Sequence, residues 1–153
     1  MCSLRRLNGN GSSPWCRRIT GSRCSWAGSG SSCIDDVIPA LDRCQKQGLV
    51  LAVTSGWDCG LQEVLDNAGL KGRFAAVNAS AVAGVSKPDP RLYALTAEKF
   101  GLPPGAVLHV GDDPANDIAA ARAAGMRAVL LDRKGTATDG ICSLHDLEKI
   151  IKA

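Results

Sequence analysis

The chain has 153 residues, with 45% hydrophobic and 22% charged side chains. That is the ordinary balance of one globular domain with a real core, and no apolar run approaches the roughly 20 residues that span a bilayer. The formal charge of +3 is unevenly placed, because five of the 18 basic residues (Arg5, Arg6, Arg17, Arg18 and Arg23) lie in residues 1–34, which contain no acid. The rest is mildly acidic and has only two Phe and one Tyr, so neither a nucleic acid nor a membrane is an expected partner.

Residues 1–33 are rich in Ser, Gly, Arg and Cys and lack apolar periodicity, which predicts a disordered or irregular N-terminal segment. It has no apolar signal region, so the cytoplasm is the expected location. Its Arg-rich, acid-free character also suits a transit peptide, with mitochondrion or plastid as the alternative. Of seven Cys, four (Cys2, Cys16, Cys24 and Cys33) fall here, and Cys44, Cys59 and Cys142 are scattered through the body. There are no C-x-x-C pairs, the count is odd, and His109 and His145 lie far from the Cys cluster. Neither a zinc site nor a disulfide scaffold is expected, and reduced thiols are the default.

Residues 34–153 read as the folded domain. Asp35 or Asp36 can cap a helix carrying Val37, Ile38, Leu41 and Cys44 on one side and stopped by Gly48. The apolar run 49–54 has buried-strand length and exits through Ser55-Gly56-Trp57-Asp58. Leu61, Val64, Leu65 and Ala68 mark a second helix, ended by Gly69. Residues 74–77 form a short strand. The loop Ser86-Lys87-Pro88-Asp89-Pro90 leads to a helix with Leu92, Leu95 and Phe100. Val107, Leu108 and Val110 form a strand, and Gly111 turns it into Asp112-Asp113-Pro114, where Asp113 is a good N-cap and Pro114 a good first helical residue. That helix carries Ile118, Ala121 and Ala124. A strand over 127–131 and a polar loop precede a last helix, where Ser143-Leu144-His145-Asp146 has the spacing of a capping box. The alternation of strand and helix predicts an α/β fold, a parallel sheet with helices on its faces. In such folds the chemistry lies at the carboxyl ends of the strands.

Three of those ends carry reactive groups. Ser55 follows the first strand, Lys87 sits in a loop stiffened by Pro88 and Pro90, and Asp112, Asp113 and Asp117 cluster after the third. A hydroxyl and a turn N–H can bind one phosphoryl oxygen. Lysine offsets the charge, and carboxylates suit a hard cation such as Mg²⁺. Taken singly, Ser55 also reads as a turn former and Lys87 as a solvated loop lysine. The acids also read as a cap and a complement to the helix dipole.

Val53-Thr54-Ser55-Gly56, Lys87-Pro88-Asp89-Pro90 and Gly111-Asp112-Asp113-x-x-x-Asp117 resemble motifs II, III and IV of the haloacid dehalogenase-like hydrolase superfamily. The runs 51–58 and 118–126 are most similar to its domain-containing type 3 branch. The likeness covers about residues 34–132 and implies a Rossmann-like three-layer sandwich and Mg²⁺-dependent phosphate-ester hydrolysis through an aspartyl-phosphate. It also implies that Ser55 and Gly56 contact the phosphoryl group of a small phosphorylated metabolite, that Lys87 steadies the nucleophile and the phosphoryl charge, and that Asp112 holds Mg²⁺. Asp113 or Asp117 would assist the metal.

The family's nucleophile is the first Asp of an N-terminal Asp-x-Asp at the end of the first strand. This chain contains no Asp-x-Asp, and the cap that the branch inserts before motif II is missing too. The resemblance puts that absent strand at the centre of the sheet, between the strands ending at Ser55 and at Asp112. Either the N-terminal segment fills the gap irregularly, or the two strands close up, or the domain is marginally stable; bare edges also favour self-association. The expected protein is a truncated or variant hydrolase without its nucleophile. The alternative is a non-catalytic pseudoenzyme that binds phosphate, Mg²⁺ or a protein partner. A phosphoacceptor receiver domain fits poorly, because there the acids come first and the lysine last.

Overall fold

The computed structural model describes residues 35–152, so the expectations of an irregular segment and of a transit peptide over residues 1–33 lie outside it. Helix α1 (Val37–Lys46) is amphipathic and buries Ala40 and Cys44. Strand β1 (Ala52–Ser55) is followed by α2 (Leu61–Leu65), whose end widens over Asp66–Leu70. Strand β2 (Ala76–Ala79) leads into the short α3 (Ser80–Ala83) and then α4 (Pro90–Lys99). Strand β3 (Leu108–Gly111), the wide turn Pro114–Ala119, α5 (Ala120–Ala123), β4 (Arg127–Leu131), β5 (Gly140–Ile141) and α6 (Leu147–Lys152) complete the chain.

The strands are parallel, as expected, but among the described residues they form two sheets rather than one. β1 pairs with β2, Ala52 opposite Ala76 through Ser55 opposite Ala79. β4 lies between β3 and β5, with Leu108 opposite Arg127. No ladder joins β1 to β3 among these residues. The split falls where the resemblance puts a further strand, and among the described residues β1 and β3 have not closed up. Every residue of β1 and β3 keeps partial exposure, whereas strands inside a covered parallel sheet are buried on both faces.

Several boundaries differ from the sequence reading. Leu49 and Val50 are exposed and precede the strand, because β2 offers pairing only from Ala75 onward, whose N–H donates to the Leu51 carbonyl. β2 itself starts two residues later than expected. The polar loop after β4 contains β5, a two-residue strand too short to show a period.

The core lies between α4 and α5. Leu92, Tyr93, Ala97, Ala120, Ala121 and Met126 are buried together, and the small alanines let the helices approach closely. α4 starts at the Asp89 cap, which accepts the Arg91 N–H at 2.9 Å. That phase turns Leu92, Tyr93, Thr96 and Ala97 inward and leaves Leu95 and Phe100 half-buried. A polar network ties α4 to the first sheet. Thr96 Oγ1 lies 2.8 Å from Thr54 Oγ1 and accepts the Asn78 side-chain amide at 2.7 Å, and Lys99 donates to Asn78.

α1 is held by polar groups on both sides. Asp42 pairs with Arg73, and Gln45 donates to the Arg73 carbonyl, just before β2. Asp36 occupies the N-cap position of α1 yet makes no side-chain capping bond. Its carboxylate instead accepts from both Arg133 terminal nitrogens (2.9 and 3.0 Å), the Ser143 hydroxyl (2.8 Å) and the Leu144 N–H (2.9 Å). Ser143 caps the C-terminal turn by accepting the His145 N–H, without a reciprocal bond from Asp146, which pairs with Lys149.

The Arg133 guanidinium holds the Asp36 carboxyl well below the usual carboxylate range, against the opposing effect of burial. A depressed carboxyl stabilises the fold above its unfolded value near pH 4 and loses that contribution as pH falls toward the folded value. Asp36→Asn is therefore expected to lower stability at pH 7 by about 1–3 kcal/mol, with the gap to wild type narrowing below about pH 4. Urea unfolding at pH 7 and pH 3 measures both; equal stability at pH 7 would refute the clamp.

Candidate functional site

The site is built from the turn after β3. Asp113 caps the following helix: its Oδ1 accepts the N–H groups of Ala115 (2.9 Å) and Asn116 (2.8 Å), and the Asn116 side chain donates to Oδ2 at 2.7 Å. Pro114 is the first helical residue, as the sequence predicts. The first turn is wide, with the N–H groups of Asp117 (2.9 Å) and Ile118 (3.1 Å) both donating to the Asp113 carbonyl. Asp117 is thereby brought inward until it is 4% exposed.

It lies directly over Gly111. A Cβ built on Gly111 would stand 2.4 Å from Asp117 Cβ, 2.5 Å from its Cγ and 2.6 Å from Oδ2. Glycine is required here for close approach, not for an unusual φ. Asp117 Oδ2 accepts the Asp113 N–H at 3.2 Å. Oδ1 forms an ion pair with the Lys87 ammonium, lies 3.2 Å from the Tyr93 hydroxyl and 3.7 Å from His109 Nε2. Burial pushes the Asp117 carboxyl up; His109, Lys87 and the Asp113 N–H together outweigh that effect and hold it well below the ordinary range. Burial and the Asp117 charge push the Tyr93 phenol up in turn.

The structure thus brings together Lys87 and Asp117, residues from two of the three predicted loops. It assigns the three acids different surroundings. Asp113 is used as a cap and Asp117 as a buried counter-ion. Asp112 is exposed and has no side-chain hydrogen bond or ion pair among the described residues. No three His, Cys, Asp or Glu side chains among these residues are grouped to hold a metal ion. Mg²⁺ is commonly held by one or two carboxylates with water and phosphate oxygens, and the carboxylate that fits this role is Asp112.

Ser55 closes β1, half-buried, its hydroxyl without a hydrogen bond among the described residues. Gly56 is exposed, with nothing within 4 Å of where a Cβ would stand. The next residue is anchored: the Trp57 carbonyl accepts the Ser80 hydroxyl at 3.0 Å and the Ala81 N–H at 3.1 Å. No hydrogen bond or ion pair links Ser55 to Lys87 or to the acids.

Two members of the cluster were not singled out from sequence. Tyr93 is fully buried and donates to the Asn116 carbonyl at 2.6 Å. His109 meets it edge-on, with ring centroids 4.9 Å apart at 82°. Strand alternation carries a signal for His109, because it places residues 109 and 111 on one face of β3, the face against which Asp117 packs.

A family model described as haloacid dehalogenase-like hydrolase matches residues 23–125. The chain is 42% identical over 94 residues to the phosphoserine phosphatase of Thermus thermophilus, a match covering 61% of this chain and 38% of that protein. It is 37% identical over 94 residues to the haloacid dehalogenase-like hydrolase domain-containing protein 3 of Danio rerio, covering 61% and 39%. Among solved structures, the crystal structure of the HAD phosphatase from Thermococcus onnurineus is similar with a TM-score of 0.73 at 29% identity, covering 76% of this chain and 57% of that one. The chain spans about two fifths of the length of these two curated relatives.

The packing at Gly111 gives a direct contrast between two glycines. Gly111→Ala is expected to cost about 1–3 kcal/mol, the range for overpacking a filled site. Gly56→Ala is expected to stay within about 0.5 kcal/mol. Chemical denaturation of the two variants decides; an unchanged midpoint for Gly111→Ala would mean that Asp117 does not rest on Gly111.

Proposed function

Because this chain belongs to the haloacid dehalogenase-like hydrolases, we propose that it binds the phosphoryl group of a small phosphorylated metabolite without turning it over on its own. Ser55, Gly56 and Lys87 contact the phosphoryl oxygens, and Asp112 holds Mg²⁺. The observation that carries this reading is the buried Lys87–Asp117 pair, which fixes an ammonium at the same turn that presents the unengaged Asp112 carboxylate. The Ser55 hydroxyl and the Gly56 N–H are free to donate to phosphoryl oxygens, and Lys87 offsets their charge. Mg²⁺, when bound, supplies Lewis-acid polarisation of a phosphoryl oxygen.

Hydrolysis through a covalent intermediate needs a carboxylate free to attack phosphorus. The chain has no Asp-x-Asp, Asp112 is taken by Mg²⁺ in this reading, Asp113 accepts the helix N–H groups, and Asp117 is buried against Gly111. That distribution supports binding without turnover. The phosphatase activity named for the Thermus thermophilus relative belongs to a protein of which this chain matches 38%, and it supports phosphate as the ligand class.

Mg²⁺ with inorganic phosphate is expected to stabilise the protein by about 1.4 kcal/mol at ten times the dissociation constant. Asp112→Asn should lose the Mg²⁺-dependent part of that shift in thermal unfolding. p-Nitrophenyl phosphate with Mg²⁺ should release no product above background. Turnover abolished by Asp112→Asn would overturn the absence of a nucleophile, and no thermal shift with either ion would overturn the binding.

A further inference from the structure

Among the described residues, His109 Nε2 is the only buried side-chain nitrogen or oxygen without a hydrogen-bond partner. Such atoms are costly and call for a reason. This one faces Asp117 Oδ1 from 3.7 Å, just outside hydrogen-bond reach, while the ring is seated edge-on against Tyr93.

The reason emerges from what Lys87 must do. An ammonium with three donors that also meets a phosphoryl oxygen shares its charge between two anions, which weakens its hold on Asp117. Asp117 is 4% exposed, and a buried carboxylate that loses its cation without replacement is strongly unfavourable. The Tyr93 hydroxyl has one proton and sits nearer the Asn116 carbonyl (2.6 Å) than Asp117 (3.2 Å). The Asp113 N–H is bound to the other oxygen. His109 Nε2–H is the remaining donor, and a shift of less than about 1 Å brings it into hydrogen-bond range.

We infer that His109 is a positioning residue that takes over Asp117 Oδ1 when Lys87 turns to a phosphoryl group. What the hand-off requires of His109 is the Nε2–H donor. The inference rests on the reading of Lys87 as a phosphoryl-binding lysine.

Two measurements test it. Calorimetric titration with inorganic phosphate in the presence of Mg²⁺ should show His109→Phe, which keeps an aromatic ring against Tyr93, binding about tenfold more weakly. His109→Gln, which restores a donor, should bind within about twofold of wild type. Independently of any ligand, a double-mutant cycle with Lys87→Met reads the hand-off in stability. His109→Phe should lower the melting temperature little in wild type and by about 5 °C more in the Lys87→Met background, where Asp117 already depends on His109. Additive effects in the cycle, or phosphate affinity unchanged by His109→Phe, would overturn the inference while leaving the phosphate reading intact. A wild-type protein that binds no phosphate would instead remove that reading, and with it the hand-off to a phosphoryl group.

Discussion

A carboxylate taken out of water has to be satisfied by whatever surrounds it, and in this fold that carboxylate is Asp117. Its environment is assembled from separate parts of the chain: Gly111 below, the Asp113 amide and Lys87 as polar partners, Tyr93 and His109 beside it. Each partner also serves its own element. Asp113 starts the helix, Tyr93 fills the core of α4, and Gly111 ends β3. The site therefore does not stand on the fold as an addition. The same few atoms that close the helix turn and fill the core also set where the ammonium of Lys87 lies.

Much of the fold was legible in local chemistry. Asp113-Pro114 announces a helix start because cap and fixed φ both suit the first turn, and the structure begins the helix there. The strand and helix alternation gives the parallel α/β class. What local pattern does not contain is pairing. Leu49 and Val50 have strand composition, but no strand among the described residues pairs with them and they stay exposed. Asp36 looks like a helix cap, yet its carboxylate is drawn to Arg133, far away in sequence. The resemblance puts a further strand between those ending at Ser55 and Asp112, and among the described residues the sheet divides there.

The site was legible to a similar degree. Ser55 and the acids stand at strand ends, and Lys87 stands in the loop after α3, with the short α3 between it and the end of β2. Their division of labour was not readable. Three carboxylates in six residues look alike in sequence, and only folding separates an exposed Asp112 from a capping Asp113 and a buried Asp117. Tyr93 and His109 read as ordinary members of a helix and a strand. Their role depends on a contact between α4 and β3 that neither segment contains.

Two helices straddle the division between the sheets, and they do so by different physics. α4 packs on α5 through buried apolar side chains and joins β1 and β2 through the uncharged Thr54–Thr96–Asn78 network. α1 reaches toward one sheet through Asp42 and Arg73 and toward the other through Asp36 and Arg133. Charged contacts weaken as ionic strength rises, and apolar burial does not. Cooperativity between the halves is thus carried by two couplings that differ in their sensitivity to screening by salt. Each sheet closes over short stretches of chain at small entropic cost, so whether the domain behaves as one folding unit or two is decided at these helices rather than within either sheet.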